Sequence, residues 1–184
     1  RLARYLLDGL ELGEVESLLL QARSFARDAN DVGSEVESLR LEAELCRERG
    51  DSRSALDACD RALERAGASR ELLAARGSVL IQRGMALRHL GRLDEGLSAL
   101  AEATVIFERL GLKRNEAQAM NALGVILAST GDYEDAITVI RTSLAIDREI
   151  DDRFHVGRKL SNIGQLYGEL GDFERALEFL RRSL

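Results

Sequence analysis

The chain of 184 residues carries 26 basic against 32 acidic residues, for a net charge of −6, with 45% hydrophobic and 32% charged residues and no proline. This balance excludes a disordered or membrane-embedded chain, and its acidic sign argues against nucleic acid, which asks for a basic stripe. Apolar runs such as Leu18-Leu19-Leu20 fall far short of the roughly 18 residues a bilayer span requires.

Leu2, Leu6, Leu7 and Leu10, then Val15, Leu18, Leu19, Ala22, Phe25 and Ala26, recur at spacings of three and four and predict two helices joined near Gly13. Asn30-Asp31-Val32-Gly33 reads as a turn, and Ser34 with Glu37 three residues on has the form of a capping box. A helix through Val36, Leu39, Ala43 and Cys46 follows, ending at Gly50; its partner carries Ala55, Leu56, Cys59 and Ala62 to near Gly67. Ser69 stands where it can cap a helix through Leu72, Leu80, Gly84 and Leu87 to Gly91. Next come Leu93, Leu97, Leu100 and Phe107, stopped by Gly111, and then Ala117, Met120, Leu123 and Leu127 up to Gly131. Tyr133, Ala136, Ile137, Ile140 and Leu144 build a helix to the Asp151-Asp152 turn. Val156, Leu160, Ile163 and Tyr167 lead to Gly171, and Phe173, Ala176, Leu177 and Leu180 open the last helix. The absence of proline fits a chain helical nearly throughout, since proline costs about 3 kcal/mol inside a helix.

The chain repeats itself. Gly131-Asp132-Tyr133-Glu134-Asp135-Ala136-Ile137 returns forty residues on as Gly171-Asp172-Phe173-Glu174-Arg175-Ala176-Leu177. Gly91-Arg92-Leu93 and Gly50-Asp51-Ser52 are earlier copies, and Gly13-Glu14-Val15 is a fainter one. Periods of this length mark stacked-repeat architectures. Seven residues before each pivot glycine sits a very small residue (Ala43, Gly84, Gly124, Gly164), and five after it another (Ala55, Gly96, Ala136, Ala176). Antiparallel helices approach closely only where neither presents bulk, so these positions mark the crossing of each pair. Large residues surround the crossing: Leu39, Leu80, Met120 and Leu160 on the first helix, Leu100, Ile140 and Leu180 on the second.

A small residue, then Gly-Asp-Tyr or Gly-Asp-Phe, then alanine resembles the tetratricopeptide repeat, most clearly over Met120 to Ser143 and Leu160 to Ser183. The resemblance covers a partial unit at 1–33 and units at about 34–68, 69–112, 113–152 and 153–184. It implies an all-α, right-handed solenoid of antiparallel helical hairpins. The period of forty exceeds the usual ~34, Leu160 or Met120 replaces the usual tryptophan, and the unit-ending proline is missing. The longer variety is similar to the repeats of kinesin light chains, G-protein regulators of spindle orientation, and bacterial signalling ATPases and kinases. Its helices should run to about 18 residues, or roughly 27 Å.

Residues that could carry chemistry are sparse. His89 and His155 lack a second ligand at metal spacing and read as surface residues, and the carboxylates read as solvated helix faces. No phosphate loop, nucleophile elbow or Cys-x-x-Cys appears, so neither catalysis nor a cofactor is expected. Cys46 and Cys59 fall on the two helices of one unit, where a disulfide is geometrically conceivable; packing as small hydrophobes is the preferred reading. Two cysteines and no basic-then-apolar leader suit a reducing, cytoplasmic compartment. The chain opens on Arg1 rather than Met and stops at Leu184 within a helical pattern. A fragment of a longer protein is therefore expected.

The resemblance implies that the first helices of successive units line a concave wall that meets a protein or peptide partner. Carried over residue by residue, the wall is Glu37, Arg40, Glu44 and Arg47, then Ser78, Ile81, Met85, Arg88 and His89. Gln118, Asn121, Val125, Ala128 and Ser129 continue it, and Arg158, Ser161, Gln165 and Glu169 close it. An apolar middle with polar flanks suits an extended or helical peptide. Asn121 and Gln118 could hold its backbone and Arg158 a carboxylate; Arg158 follows Gly157 much as in the G-protein-regulator repeats, whose arginines face the ligand. The lysine–asparagine set of carboxylate-clamp arrays is missing. Ile81 and Met85 could instead pack on a neighbouring segment. Two other functions stay open: a segment regulating an attached kinase or ATPase in cis, and self-association through terminal apolar faces such as Leu177, Leu180 and Leu184.

Overall fold

The structure is a computed structural model that describes residues 12–183. All regular structure among the described residues is helical. The first compact unit, up to Leu90, holds α1 (Leu12–Asp28), α2 (Val32–Glu48), α3 (Ser52–Ala66) and α4 (Leu73–His89). The second, from Gly91, holds α5 (Leu93–Arg109), α6 (Lys113–Thr130), α7 (Tyr133–Glu149), α8 (Arg153–Glu169) and α9 (Phe173–Arg182). Inside each unit every helix packs on the next, and α2 also touches α4. The helix expected over Leu2–Leu10 lies outside the described residues. The described part of α1 begins at Leu12, one residue before Gly13.

The Gly-Asp pivot has a local cause. Gly131 ends α6 at φ 90°, a left-handed conformation that glycine adopts without penalty. The next amide, Asp132 N–H, reaches back to the Leu127 carbonyl at 3.1 Å, and the chain is turned to start α7. At the other two Gly-Asp pivots the aspartate caps the new helix: Asp51 accepts from Ser54 N–H and Asp172 from Arg175 N–H, both at 3.0 Å, whereas Asp132 accepts from the Thr130 hydroxyl at 2.6 Å. Where arginine replaces it, Arg92 grips Glu95 through both guanidinium arms at 2.6 Å.

Two expected caps are displaced. Asp31, not Ser34, caps α2: its carboxylate accepts from the Ser34 amide at 3.0 Å and from its hydroxyl at 2.6 Å. A carboxylate one turn earlier outcompetes the hydroxyl, and Glu37 turns instead to Arg40. Ser69 caps nothing: α4 starts at Leu73, after a turn in which the Leu72 amide donates to the Ser69 carbonyl.

The two crossings of the second unit are as close as their small residues imply. A Cβ on Gly124 would stand 2.5 Å from Ile140 Cγ1 and 3.1 Å from the Ala136 carbonyl oxygen, so α6 rests on the backbone of α7. A Cβ on Gly164 would meet Leu180 Cγ at 2.8 Å and the Ala176 oxygen at 3.1 Å. Around the second crossing Ile137, Ile140 and Leu144 pack with Leu160, Ile163, Tyr167 and Phe179. In the first unit Val36, Leu39 and Ala43 pack with Ala58, Cys59, Ala62 and Val79. Cys59 is fully buried and burial pushes its thiol up to about 12, so it packs as an apolar group; Cys46 is half-buried.

Charge also enters the interior, against the expectation of solvated carboxylates. Lys159 on α8 is fully buried and donates to Asp147 Oδ2 at 2.5 Å and to the Ser143 carbonyl at 3.3 Å, both on α7. Burial pulls the Lys159 ammonium below its ordinary value, and Asp147 pulls it part of the way back. Ser143 in turn donates its hydroxyl to the Ala117 carbonyl of α6 at 2.5 Å. In the first unit Glu35 on α2, with a side chain only 2% exposed, receives Arg27 from α1 at 2.8 Å and Arg65 from α3 at 2.7 Å. Hydrogen bonding from Arg27, aided by Arg65 and opposed by burial, holds that carboxyl below its ordinary range.

Candidate partner-binding faces

The even-numbered helices are the first helices of the repeats, and each unit carries two of them. In the second unit, α6 places Gln118 and Val125 half-buried and Ser129 exposed, its hydroxyl turned back onto the Val125 carbonyl at 3.1 Å. On α8, Arg158 and Gln165 are exposed and Ser161 is half-buried. Asn121 is 8% exposed, and its side-chain carbonyl accepts from Asn162 Nδ2 on α8 at 3.1 Å. That bond uses one donor of Asn162 and one acceptor of Asn121, so each side chain keeps further hydrogen-bonding capacity.

His155 departs from its expected surface position. It is half-buried, with Nδ1 2.9 Å from Asp152 Oδ1 and Nε2 3.5 Å from the side-chain nitrogen of Gln118. Asp152 also takes Arg114 from α6 at 2.9 Å, so these four residues tie the start of α8 to α6. His89, by contrast, is exposed as expected.

In the first unit, α2 carries Arg40 between Glu37 at 2.8 Å and Glu44 at 3.0 Å. Burial works against the Arg40 charge, but the two carboxylates outweigh it and raise its proton affinity. On α4, Ser78 folds its hydroxyl onto the Ala74 carbonyl at 3.1 Å, and Ile81, Met85 and Arg88 are all half-buried. Arg47 of α2 donates to Gln82 of α4 at 3.3 Å. Three residues that the expected wall omitted therefore bridge neighbouring even helices: Gln82, Asn162 and His155. Gln82 and Asn162 stand nine residues before their pivot glycines, so aligning the repeats by those glycines would have paired them.

A family profile described as the tetratricopeptide repeat matches residues 76–149 and 115–184, together more than half of the chain. The chain belongs to the tetratricopeptide repeat family. No curated protein sequence matches it. Among solved structures, BtubC (BKLC) from P. vanneervenii superposes on this repeat array with a TM-score of 0.81 at 23% identity, over 99% of this chain and 75% of that one. Aspartyl phosphate phosphatase F from Bacillus subtilis gives 0.84 at 17% identity, over 98% of this chain and 47% of that one. A Rap protein complexed with competence and sporulation factor gives 0.75 at 18% identity, over 98% and 50%. The chain thus spans about half the length of the last two. At these identities the likeness is one of fold, an all-α helical-repeat solenoid. The tetratricopeptide repeat is in general a non-catalytic scaffold for protein–protein interaction. Among the described residues no helix is long and apolar enough to cross a membrane, and no three metal-ligating side chains gather.

Proposed function

We propose that this tetratricopeptide array binds an extended segment of a protein partner on the faces of its even-numbered helices. The observation that carries the reading is the Asn121–Asn162 bond across α6 and α8. It fixes two side-chain amides, groups able to pair with a peptide backbone, on neighbouring first helices. Gln118, Val125, Ser129, Arg158, Ser161 and Gln165 surround them on the same two helices. In the first unit Arg40, Glu44, Ser78, Ile81, Met85 and Arg88 form the corresponding face. Side chains already fixed by intramolecular bonds lose little freedom on binding, which lowers the ordering cost.

The Rap structure of the same fold, complexed with competence and sporulation factor, supports a binding role. We place the protein in the cytoplasm, in signalling, as an interaction module of a larger protein. Asn121→Ala with Arg158→Ala should weaken partner binding about tenfold or more while leaving the Tm within a few degrees, measured by titration and thermal melting. Unchanged affinity would remove this face from consideration.

A second reading, self-association, is favoured by α9, where Phe173 is 73% and Leu177 49% exposed. Their counterparts one repeat earlier, Tyr133 and Ile137, are half-buried and buried. Light scattering at two concentrations separates the two readings.

A further inference from the structure

Arg47 and Arg88 occupy one repeat position, three residues before the pivot glycines Gly50 and Gly91. In the second unit the same position holds Ala128 and Gly168, so the fold does not require arginine there. Gln82 draws the Arg47 guanidinium against α4 through a 3.3 Å hydrogen bond. Arg88 Nη2 lies 2.6 Å from His89 Nε2, which accepts and is therefore deprotonated in this arrangement. Arg88 Nε is buried and makes no hydrogen bond among the described residues.

Most other arginines of this unit are paired with acids: Arg40 with Glu37 and Glu44, Arg65 with Glu35, Arg83 with Asp60. Among the described residues neither Arg47 nor Arg88 has a carboxylate at salt-bridge distance. Burial first, and Arg47 second, lower the proton affinity of Arg88; burial, Arg88 and Arg47 do the same to His89. Cations are favoured at the C-terminal ends of helices, which accounts for one cation per helix. It does not account for a guanidinium from α2 held against α4 by Gln82, nor for the unsatisfied Nε of Arg88.

Position along α4 adds the second element. Ile81, Met85 and Arg88 fall at i, i+4 and i+7, on one stripe of the helix, and all three are half-buried. An apolar contact and a cationic one therefore lie about one helical turn, ~5 Å, apart.

We propose that Arg47 and Arg88 form a carboxylate-binding site, and that the first unit takes a peptide in which an aspartate or glutamate lies close to an apolar residue. The apolar side chain rests on Ile81 and Met85, and the carboxylate accepts from both guanidinium groups. This deepens the proposed function and rests on it.

The test is selection of random dodecapeptides displayed on phage against the full chain, in parallel with Arg47→Gln/Arg88→Gln. The sequences enriched on the parent should carry Asp or Glu near Leu, Ile, Met or Phe, and the variant should lose that acidic bias. The leading peptide, synthesised, should bind the variant about tenfold or more weakly. Its own Glu→Gln version should lose as much against the parent and little more against the variant. The Tm of the variant should not fall, because a repulsive pair has been removed; a fall with no change in affinity would assign the pair a structural role and overturn the site. Enrichment without acidic bias, or additive losses in the two-by-two comparison, would overturn the carboxylate site alone. So would tight binding only of a phosphoserine version of the peptide. Failure to enrich any sequence on either protein would sink peptide binding itself, and this site with it.

Discussion

Two junctions in the second unit sit at the same place in successive repeats and are built from different chemistry. Between α5 and α6 the buried positions are Phe107 and Ala119; one repeat later, between α7 and α8, they are Asp147 and Lys159. These two junctions fill the position differently, one with a large residue against a small one, the other with two of middling size. The charged version adds a restriction: a buried ion pair tolerates no neighbour but its own, since each charge unpaired would be left desolvated. An apolar junction can slide or exchange; this one fixes which helix follows α7, and at what register.

The largest expected effect comes from breaking the charged junction. Lys159→Ala should destabilise the protein by about 3–5 kcal/mol, because Asp147 stays buried without a partner. Transplanting the earlier junction, Asp147→Phe with Lys159→Ala, should recover most of that loss. Denaturant melts of the three proteins decide it. A single variant that costs under about 1 kcal/mol would show that water reaches the pair and that the two junctions do not differ as described.

The crossings sharpen the comparison at smaller magnitude. Gly124→Ala forces a methyl to within 2.5 Å of Ile140, which is 1% exposed and locked in the core. The cost should be about 1–3 kcal/mol. Gly164→Ala presses on Leu180, which is 37% exposed and so has room to turn aside, and should cost less. Equal losses in thermal melts would mean that α9 is held as tightly as α7.

The smallest effect concerns the charged junction of the first unit. Glu35 is buried, but its partners Arg27 and Arg65 are about half-exposed, so solvent screens them. Glu35→Gln should cost about 1 kcal/mol at neutral pH. The folded carboxyl lies below its ordinary value of 4.5, so the contribution is complete above that value and drains away as the pH falls through the lower one. Parent and variant should therefore converge in acid. A gap that widened there would contradict the assignment.

Most of the fold was legible because the repeat enforces it. Pivot glycines, small crossing residues and helix faces recur at fixed offsets, so Gly124 and Gly164 could be matched to Ala136 and Ala176 from spacing alone. What spacing could not show was competition among polar groups. Ser34 and Ser69 have the right form for caps, yet Asp31 takes one helix start and a backbone turn the other. Lys159 and Asp147 look like surface charges, since no rule of periodicity places a lysine in a core. On the candidate faces the even helices follow from repeat position, while the bonds that Asn162, Gln82 and His155 make between helices were not foreseen. Their importance lies in bonds between neighbouring even helices, a third dimension that a single repeat does not contain.

The central claim is that the even-numbered helices carry the partner and the odd-numbered ones carry the fold. The most direct measurement is photocrosslinking from p-benzoylphenylalanine placed singly at exposed positions of both kinds. Ser129 and Gln165 serve for the even helices, and Thr138 and Thr142 on α7 for the odd. The account predicts partner adducts from Ser129 and Gln165 and none from Thr138 or Thr142. Adducts from the α7 positions alone would contradict it.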